Sequence, residues 1–310
     1  MNRDERIHIG FEGFRVAILP LAGGKISSIQ LAGREMLQEP LTGNFSRSRT
    51  MPFDSGDASG WDECLPSVAP CRVRTDGGTA VIPDHGDLWR VAWQILETAA
   101  TRCTMLAKCF SLPLELVRTA TAERIDAVFR IRLDYRIRNI GAHTTPWAWS
   151  AHPLFAVQPG DRILLPESVK SLRVEASGGG RLSGCVVRWP IDSISAGLQG
   201  NLSIAQSPNS EIGDKLFAGP LHGAENWAVL ERHSAHVRIR VTFDPAANPF
   251  LGLWLCYGGW PLRPGPKQMC VALEPSTSPV DSLASTGKWQ RLLEPGESFA
   301  WTMTVELQQI

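Results

Sequence analysis

The segment from Phe129 to Arg138, FRIRLDYRIR, alternates strictly between apolar or aromatic residues and charged residues. Its odd-numbered positions are Phe, Ile, Leu, Tyr and Ile, and its even-numbered positions carry four arginines and one aspartate. Successive side chains of a β-strand point to opposite faces of the sheet, so this pattern predicts a strand with one buried face. The arginines therefore indicate a solvated sheet face rather than a phosphate-binding or nucleic-acid-binding site.

The same alternation recurs near the C-terminus, in HVRIRVTF and in WTMTVELQ. Shorter strand-like runs are FRVAILP, KISSIQLAG, LELVRTATA, GCVVRW and FLGLWLCY, and 28 glycines and 22 prolines punctuate the chain. No segment keeps a helical period over several turns. Many strands without alternating helices favour an all-β fold, a large antiparallel β-sandwich or barrel. Because we find no internal repeat, low-complexity tract or linker, we predict a single domain over residues 1–310.

The charges of the chain balance, with 31 Lys and Arg residues against 31 Asp and Glu residues. Neither nucleic acid nor an anionic membrane is therefore expected as the main partner, and a small neutral or weakly charged ligand fits better. The start, MNRDERIHIG, is charged where a secretory signal has its apolar core, and the longest uncharged apolar run, FLGLWLCYGGWPL, is too short to span a bilayer. We expect a cytoplasmic protein and predict no particular oligomeric state.

The sequence lacks the common signatures of cofactor, metal and nucleophile sites. Its seven cysteines include no C-x-x-C pair, which favours reduced, mostly buried thiols over disulfides or zinc ligands. The acidic stretch FDSGDASGWDECLP lacks the ligand spacing of a helix–loop–helix calcium site, so we interpret it as a polar loop at a pocket rim and predict no metal. G-x-S-x-G, Walker, G-x-G-x-x-G and H-E-x-x-H motifs are also absent from the sequence.

Three residues are candidates for acid–base chemistry. His85 and His152 each lie among tryptophans and turn residues, and Glu274 ends an apolar run immediately before Pro275. Taken singly, such a histidine is usually a hydrogen-bonded structural residue, and such a carboxylate usually faces water. Because proline lacks an amide donor and forces extended geometry on the residue before it, we expect a strand to end at Glu274 and to present it at the mouth of a cleft.

Tryptophan is abundant, with 11 residues against only 2 tyrosines. A sugar ring has apolar C–H faces and polar edges, so it suits a cleft with aromatic walls and with carboxylate and imidazole groups at its floor. Of the tryptophans near the candidate residues, we take Trp61, Trp89 and Trp149 as substrate-binding candidates. The tryptophans expected simply to fill the core are Trp93, Trp227, Trp254 and Trp301.

Four segments in this order, GWDECLPSVAP, DHGDLWRVAW, AHPLFAVQPGDRILLP and CVALEPSTSPVDSL, resemble the aldose 1-epimerase (galactose mutarotase-like) superfamily over most of the chain. The resemblance implies a large antiparallel β-sandwich with one sugar pocket and no cofactor. It also implies that Glu274 is the general base at the anomeric hydroxyl, that His152 is the acid at the ring oxygen, and that His85 orients the substrate. A carboxylate near His152 would favour its protonated form.

The resemblance also bears on how the sugar is bound. It points to Asp214 as the substrate-binding carboxylate and to Arg90 as a further pocket candidate. Arg72, which follows Pro70 and Cys71, is another pocket candidate, with a surface salt bridge as the alternative. Many members carry N-H-x-[YF]-F-N-L around the second histidine, where this chain has SAHPLFAV and lacks both asparagines. The absence of these asparagines leaves open a carbohydrate-binding protein that catalyses nothing. Another sugar isomerase or a lyase on the same fold is a further alternative, because function lies in the site and not in the fold.

Overall fold

The computed structural model describes residues 6–43, 45–194 and 199–310, and this part consists of strands joined by turns and short 3-10 helices. Residues 1–5, part of the charged start on which the expectation of no secretory signal depends, lie outside the described residues. Within the described residues, no helix has the length and the apolar character needed to cross a bilayer.

The described strands are, in chain order, β1 (Ile7–Phe11), β2 (Phe14–Leu19), β3 (Lys25–Leu31), β4 (Arg34–Glu35), β5 (Trp61–Cys64), β6 (Cys71–Thr75), β7 (Gly78–Ile82), β8 (Gln94–Ala99), β9 (Arg102–Lys108), β10 (Leu114–Ile125), β11 (Val128–Asn139), β12 (Thr145–Trp147), β13 (Ser150–Ala156), β14 (Arg162–Leu164), β15 (Ser171–Ser177), β16 (Val186–Arg188), β17 (Ile191–Ser193), β18 (Gln199–Asn201), β19 (Ile212–Ala218), β20 (Trp227–Arg232), β21 (Val237–Phe243), β22 (Phe250–Tyr257), β23 (Met269–Ser276), β24 (Arg291–Leu293) and β25 (Ser298–Gln309). The described 3-10 helices are Phe53–Ser55, Leu88–Arg90, Gly178–Gly180, Pro208–Ser210, Gly223–Glu225, His233–Ala235, Leu283–Ser285 and Gly287–Trp289.

Two large antiparallel sheets contain most of these strands. The first has 11 strands in the order β1-β2-β3-β5-β13-β23-β22-β19-β15-β16, with β4 paired to β3. The second has eight strands in the order β14-β20-β21-β25-β11-β10-β9-β8. Three two-stranded sheets, β12-β24, β17-β18 and β6-β7, complete the described part. The predicted all-β, antiparallel sandwich architecture is confirmed.

The period-two segments form the centre of the eight-stranded sheet. In β11, Ile131, Leu133, Tyr135 and Ile137 are buried, while arginines of the opposite face are exposed or paired with acidic neighbours. The strands β21 and β25, which pair with each other, bury their alternate apolar residues in the same way. The interpretation of the arginines as a solvated face is confirmed.

The main core lies between the two large sheets, because one continuous cluster of buried side chains includes residues of both. In β23, Val271 and Leu273 belong to this cluster. Their neighbours Cys270 and Ala272 point to the opposite face and join a separate small cluster with Leu154 and Cys256. The 11-stranded sheet therefore has a second, partly covered face that points away from the main core.

The prediction that the strand ends at Glu274 is wrong. The strand β23 continues through Pro275 to Ser276, and Pro275 lies opposite Leu251 of β22. On its other side, the pairs between β13 and β23 are Ser150 with Ser276 and then Leu154 with Ala272, so the ladder is interrupted between them. A proline is tolerated at such an interruption because its missing N–H leaves no ladder hydrogen bond unmade.

Candidate functional site

A cavity of about 220 Å³ lies on the second face of the 11-stranded sheet. Strand residues form its floor, and residues of the connecting segments form its walls. The lining residues are Phe53, Val68, Ala69, Pro70, Asp84, His85, His152, Ala176, Lys215, Trp254, Trp260, Gln268 and Asp281. Aromatic rings and ionisable groups are thus brought together around one concave space, which is the usual composition of a small-molecule site.

His152 and Glu274 come from neighbouring strands, β13 and β23. Both residues lie on the second face, because the register places Ser150 opposite Ser276 and Leu154 opposite Ala272. Nε2 of His152 lies 3.8 Å from Oε1 of Glu274. Glu274 is fully buried directly beneath the cavity floor, whereas His152 lines the cavity. A ligand group in contact with His152 is therefore also close to the carboxylate.

Glu274 has one paired and one unpaired oxygen. Its Oε2 accepts a hydrogen bond from the ammonium of Lys215, while its Oε1 is buried without a hydrogen-bond partner. Burial raises the pKa of Glu274 because a charged carboxylate is poorly solvated there, and the ammonium of Lys215 opposes this rise. A buried oxygen that lacks a donor is costly unless a ligand supplies one, so Oε1 marks a position where a ligand hydroxyl is favourable.

The imidazole of His152 is held in its neutral form. Burial lowers its pKa well below the usual value of 6.5, and the nearby His85 and Lys215 lower it further. The expectation that a neighbouring carboxylate favours protonated His152 is therefore wrong for the unliganded site. The carboxylate of Glu274 is close, but desolvation and the surrounding positive groups outweigh its attraction.

His85 enters the cavity from a tight turn after β7. Its backbone has a positive φ of 57°, and its N–H donates to the carbonyl of Val68 at 2.6 Å. Its ring stacks on Phe53, with 3.7 Å between the ring centroids, and lies 5.3 Å from the ring of His152 at nearly a right angle. Nδ1 of His85 lies 3.0 Å from a carboxylate oxygen of Asp84, although the two atoms are not aligned for a hydrogen bond.

Arg90 supports this turn and does not line the cavity. Its buried guanidinium donates to the backbone carbonyls of Asp84, Gly86 and Met51. The adjacent Gly86 has a φ of 68°, and a Cβ there would lie 2.2 Å from the carbonyl oxygen of Leu65. The expectation that Arg90 lines the pocket is wrong, because Arg90 lies behind His85 and holds the turn.

The predicted aromatic walls are formed by other rings. Trp61 and Trp149 are buried in the main core, on the opposite face of the sheet from His152, and Trp89 is buried behind Phe53. The structure does not bring these three tryptophans to the cavity. Trp254 and Trp260 line it instead, together with Phe53, so the expectation that Trp254 fills the core is wrong.

The structure does not bring Asp214 or Arg72 to the cavity either. Asp214 is buried and is paired with the guanidinium of Arg181, and one of its oxygens accepts from the hydroxyl of Ser177 at 2.6 Å. Arg72 is exposed on the two-stranded sheet β6-β7. Lys215, one position after Asp214 on β19, lines the cavity, because successive side chains of a strand point to opposite faces.

The sequence reasoning missed Lys215, Asp281 and Phe53. Oδ1 of Asp281 lies 3.5 Å from the ammonium of Lys215, and both residues line the cavity. Asp281 lies inside the segment CVALEPSTSPVDSL that carries the resemblance, and Phe53 lies inside the acidic stretch. A signal for Lys215 is that adjacent residues of a strand point to opposite faces, so only one of Asp214 and Lys215 can face the cavity.

The acidic stretch is largely buried and paired. Asp62 of β5 lies directly opposite His152 on the same face, and its Oδ2 accepts from the ammonium of Lys25 at 2.6 Å. The same ammonium lies 3.1 Å from Asp57. Arg47 also pairs with Asp57, so two cations and two carboxylates form a buried ionic cluster next to the site instead of a polar rim. Among the described residues, no group of three or more His, Cys, Asp or Glu side chains is arranged to hold a metal ion.

Neither a family model nor a curated protein sequence matches this chain. Solved structures match it over nearly their whole length. The Slr1438 protein from Synechocystis sp. PCC 6803 is 16% identical, with 100% of this chain and 97% of that chain covered and a TM-score of 0.72. A galactose mutarotase related enzyme from Lactobacillus acidophilus is 14% identical, with 99% and 97% covered and a TM-score of 0.68.

A galactose mutarotase-like protein from Lactobacillus casei is 15% identical, with 98% of this chain and 100% of that chain covered and a TM-score of 0.63. The chain has a galactose mutarotase-like fold. At such identities the likeness establishes the fold, and the activity has to be argued from the site itself. The galactose mutarotase-like fold agrees with the resemblance found in the four sequence segments.

Proposed function

We propose that the protein is an aldose 1-epimerase-like isomerase that interconverts the α and β anomers of an aldose or a related sugar. The observation that carries the proposal is the 3.8 Å separation of Nε2 of His152 and Oε1 of Glu274 at the floor of an aromatic-walled cavity. Anomer interconversion needs an acid and a base at two oxygens bonded to one carbon. Two groups so close can each reach one of those oxygens.

In the proposed reaction the Glu274 carboxylate takes the proton of the anomeric hydroxyl. Because the imidazole of His152 is neutral in the unliganded site, it has to take up one proton from solvent as the sugar binds. The bond between C1 and the ring oxygen then breaks as a carbonyl forms at C1, and the ring oxygen takes a proton from Nε2 of the protonated His152. After rotation about the C1–C2 bond, the ring hydroxyl attacks the other face of the carbonyl. It returns its proton to His152, and Glu274 returns its proton to the anomeric oxygen, so protons and electrons balance without a cofactor.

The electrostatics of the site support this cycle. Burial raises the pKa of Glu274 and lowers the pKa of His152, so burial favours a protonated carboxyl beside a neutral imidazole, while the ammonium of Lys215 favours the charged carboxylate. The cycle requires the pair to share one proton, which moves from one group to the other through the sugar. The opposing effects of burial and of Lys215 on Glu274 support a carboxyl group that can both take up and return a proton within one cycle.

The residues that line the cavity fit a sugar ring. Phe53, Trp254 and Trp260 offer apolar surface for C–H faces, and the carboxylates of Asp84 and Asp281 offer acceptors for hydroxyl groups. His85 is fixed by its stack on Phe53 and by Asp84, which supports its proposed role as an orienting donor. The proposed contacts leave out the residues that the structure places in other ion pairs or hydrogen bonds, on the surface, in the core or behind Phe53, namely Asp214, Arg90, Arg72 and the three buried tryptophans.

Other features support the cellular setting of the proposal. All seven cysteines lie within the described residues and none forms a disulfide, which favours a reducing compartment such as the cytoplasm. The balanced charge favours a small molecule over nucleic acid as the partner. One core cluster that joins both large sheets supports a single domain over residues 1–310.

Anomer equilibration tests the proposed function directly. We expect the wild-type protein to accelerate mutarotation of at least one sugar in a panel of aldoses and modified sugars, measured by polarimetry and by saturation-transfer NMR. Glu274→Gln and His152→Asn should each lower that rate by about 10²–10⁴-fold, because each removes one proton-transfer group. Glu167→Gln and His143→Asn alter exposed residues outside the cavity and should keep the wild-type rate.

The outcome also separates the alternatives. Calorimetric binding of a sugar with no acceleration of mutarotation would indicate a carbohydrate-binding protein. Turnover of a sugar to a product other than its anomer would indicate different isomerase or lyase chemistry in the same cavity. Equal rates for the wild type and both site variants on every active sugar would refute the proposed roles of Glu274 and His152.

A further inference from the structure

We infer that Lys215 is a positioning residue for Glu274. It holds this carboxylate charged and in a fixed orientation, across the space that the missing side chain of Gly252 leaves between the two residues. The meaning of this contact for catalysis rests on the proposed function. The contact itself is a property of the protein that can be measured without any turnover.

The register explains why Lys215 has to reach across a strand. Glu274 of β23 lies opposite Gly252 of β22, and Lys215 of β19 lies opposite Trp254 of β22. The two residues are therefore two strand spacings apart across the sheet and two residues apart along the strands, about 12 Å in all. A lysine and a glutamate side chain that extend toward each other can together cover that span when no side chain stands between them.

Gly252 supplies the open space. A Cβ on Gly252 would lie 3.2 Å from Oε2 of Glu274 and 3.4 Å from Nζ of Lys215, so it would press directly on the ion pair. The φ angle of Gly252 is not in the left-handed region, so the backbone there does not itself require glycine. The absence of a side chain at this position is explained by the contact between the ammonium and the carboxylate.

Lys215 is well placed to control the charge of Glu274. Both side chains are buried, and the ammonium also lies 3.5 Å from Asp281, so it serves two carboxylates at once. Without the ammonium, a buried carboxylate would take up a proton instead of remaining charged. The titratable groups that act on or respond to Glu274 are Lys215 of β19, Asp281 after β23, His152 of β13, His85 after β7, Cys64 of β5 and Cys270 of β23.

The test is a carboxyl-carbon NMR titration of protein labelled with ¹³C at glutamate Cδ, with the Glu274 signal assigned by its loss in Glu274→Gln. In Lys215→Met we expect the Glu274 titration midpoint to rise by about one to three pH units, because an opposite charge in contact is removed. Gly252→Ala should move the midpoint in the same direction by less, since it separates the pair without removing the ammonium.

Asp281→Asn tests the direction in which a neighbouring charge shifts the pKa of Glu274. Asp281 raises the pKa of Glu274 by repulsion, so its neutralisation should lower the titration midpoint. Lys170→Met, an exposed lysine outside the cavity, is the matched control and should leave the midpoint unchanged. If the proposed mutarotation is observed, the acid limb of kcat/KM should shift in the same direction as each titration.

The results separate the inference from the proposed function. An unchanged or lowered Glu274 midpoint in Lys215→Met overturns the inference, even if the wild type is an active mutarotase. If Lys215→Met does not fold, the midpoint in Gly252→Ala decides, and a rise there supports the inference. If the predicted shifts are observed but the protein has no mutarotase activity, the inference about Lys215 and Glu274 is supported and the proposed function is refuted.

Discussion

His152 lies between two carboxylates on the same sheet face, with Asp62 opposite it on β5 and Glu274 on β23. Its Nδ1 is buried without a hydrogen-bond partner among the described residues. A neutral imidazole tolerates this environment better than an imidazolium does, because the charged form would lose its hydration. The protonation of His152 should therefore affect the stability of the protein as well as the proposed activity.

Stability should depend on pH through His152. In the unfolded chain its pKa returns to about 6.5, whereas in the folded protein the pKa is well below that value. As the pH falls below about 6.5, the unfolded state binds the proton first. The free energy of unfolding should then fall by up to about 1.4 kcal/mol per pH unit. Urea denaturation of the wild type at pH 8, 7, 6 and 5 measures this loss.

The variant His152→Asn should lose less stability than the wild type over the same pH range, since it lacks the group that resists protonation. The raised pKa of Glu274 acts in the opposite direction: the folded state binds that proton more readily, which adds stability as the pH falls. Glu274 is present in both proteins, so the difference between their slopes reports His152 together with its effect on the neighbouring Glu274. The exposed His143→Asn variant should keep the wild-type slope, and an unchanged slope in His152→Asn would contradict the argument.

At the residue scale the sequence located the ionisable pair but not the walls around it. The motifs order His85, His152 and Glu274 along the chain, and the structure brings all three together. A tryptophan beside a motif can point to either face of its strand, and only the register decides which. Trp61 points into the main core, although its neighbour Asp62 shares a face with His152.

At the element scale, the extent of β23 shows what a local rule misses. Proline removes the hydrogen-bond donor at position 275, as the sequence indicates. Whether this ends the strand depends on whether a neighbouring strand needs that donor, and the sequence does not show this. The ladder with β13 is interrupted there, and the alternation patterns of the long strands contain no information about such a gap.

The turn that carries His85 should be sensitive to a side chain at Gly86. Gly86→Ala combines a left-handed φ of 68° with a clash at the carbonyl of Leu65. We expect it to lower the free energy of unfolding by about 2 kcal/mol or more, of which the φ angle alone contributes about 1–2 kcal/mol. Chemical denaturation measures this loss.

Gly179→Ala is the matched control for this turn. Gly179 has a similar φ of 62° but no atom within 4 Å of a Cβ built there. It should therefore show the backbone cost without the clash. Equal losses in the two variants would mean that the close approach to Leu65 costs nothing.

At the scale of the whole molecule, a buried polar network joins the two large sheets. Arg118 of β10 donates to Glu63 of β5 at 3.0 Å, and the same carboxylate accepts from the hydroxyl of Tyr135 and from the indole N–H of Trp149. Both ionic side chains are almost completely buried. Such a pair is costly to break from one side only, because the remaining charge has no solvent.

Arg118→Met should lower the free energy of unfolding by about 3–5 kcal/mol, since it leaves the Glu63 carboxylate buried without its cation. The double variant Arg118→Met/Glu63→Gln should regain part of this loss, because the amide keeps hydrogen-bond acceptors and carries no charge. Urea unfolding of the single and double variants gives the comparison. A double variant that is no more stable than Arg118→Met would show that the unpaired charge is not the cause of the loss.

The residues in and beneath the cavity lie partly on strands and partly in connecting segments. His152, Glu274 and Lys215 are fixed on hydrogen-bonded strands, whereas Phe53, His85, Trp260 and Asp281 lie in connecting segments. Substitutions in the connecting segments can therefore accumulate without moving the proposed proton-transfer pair. This arrangement makes the cavity evolvable in one particular sense, because its lining can change to fit another ligand while the groups on the strands stay in place.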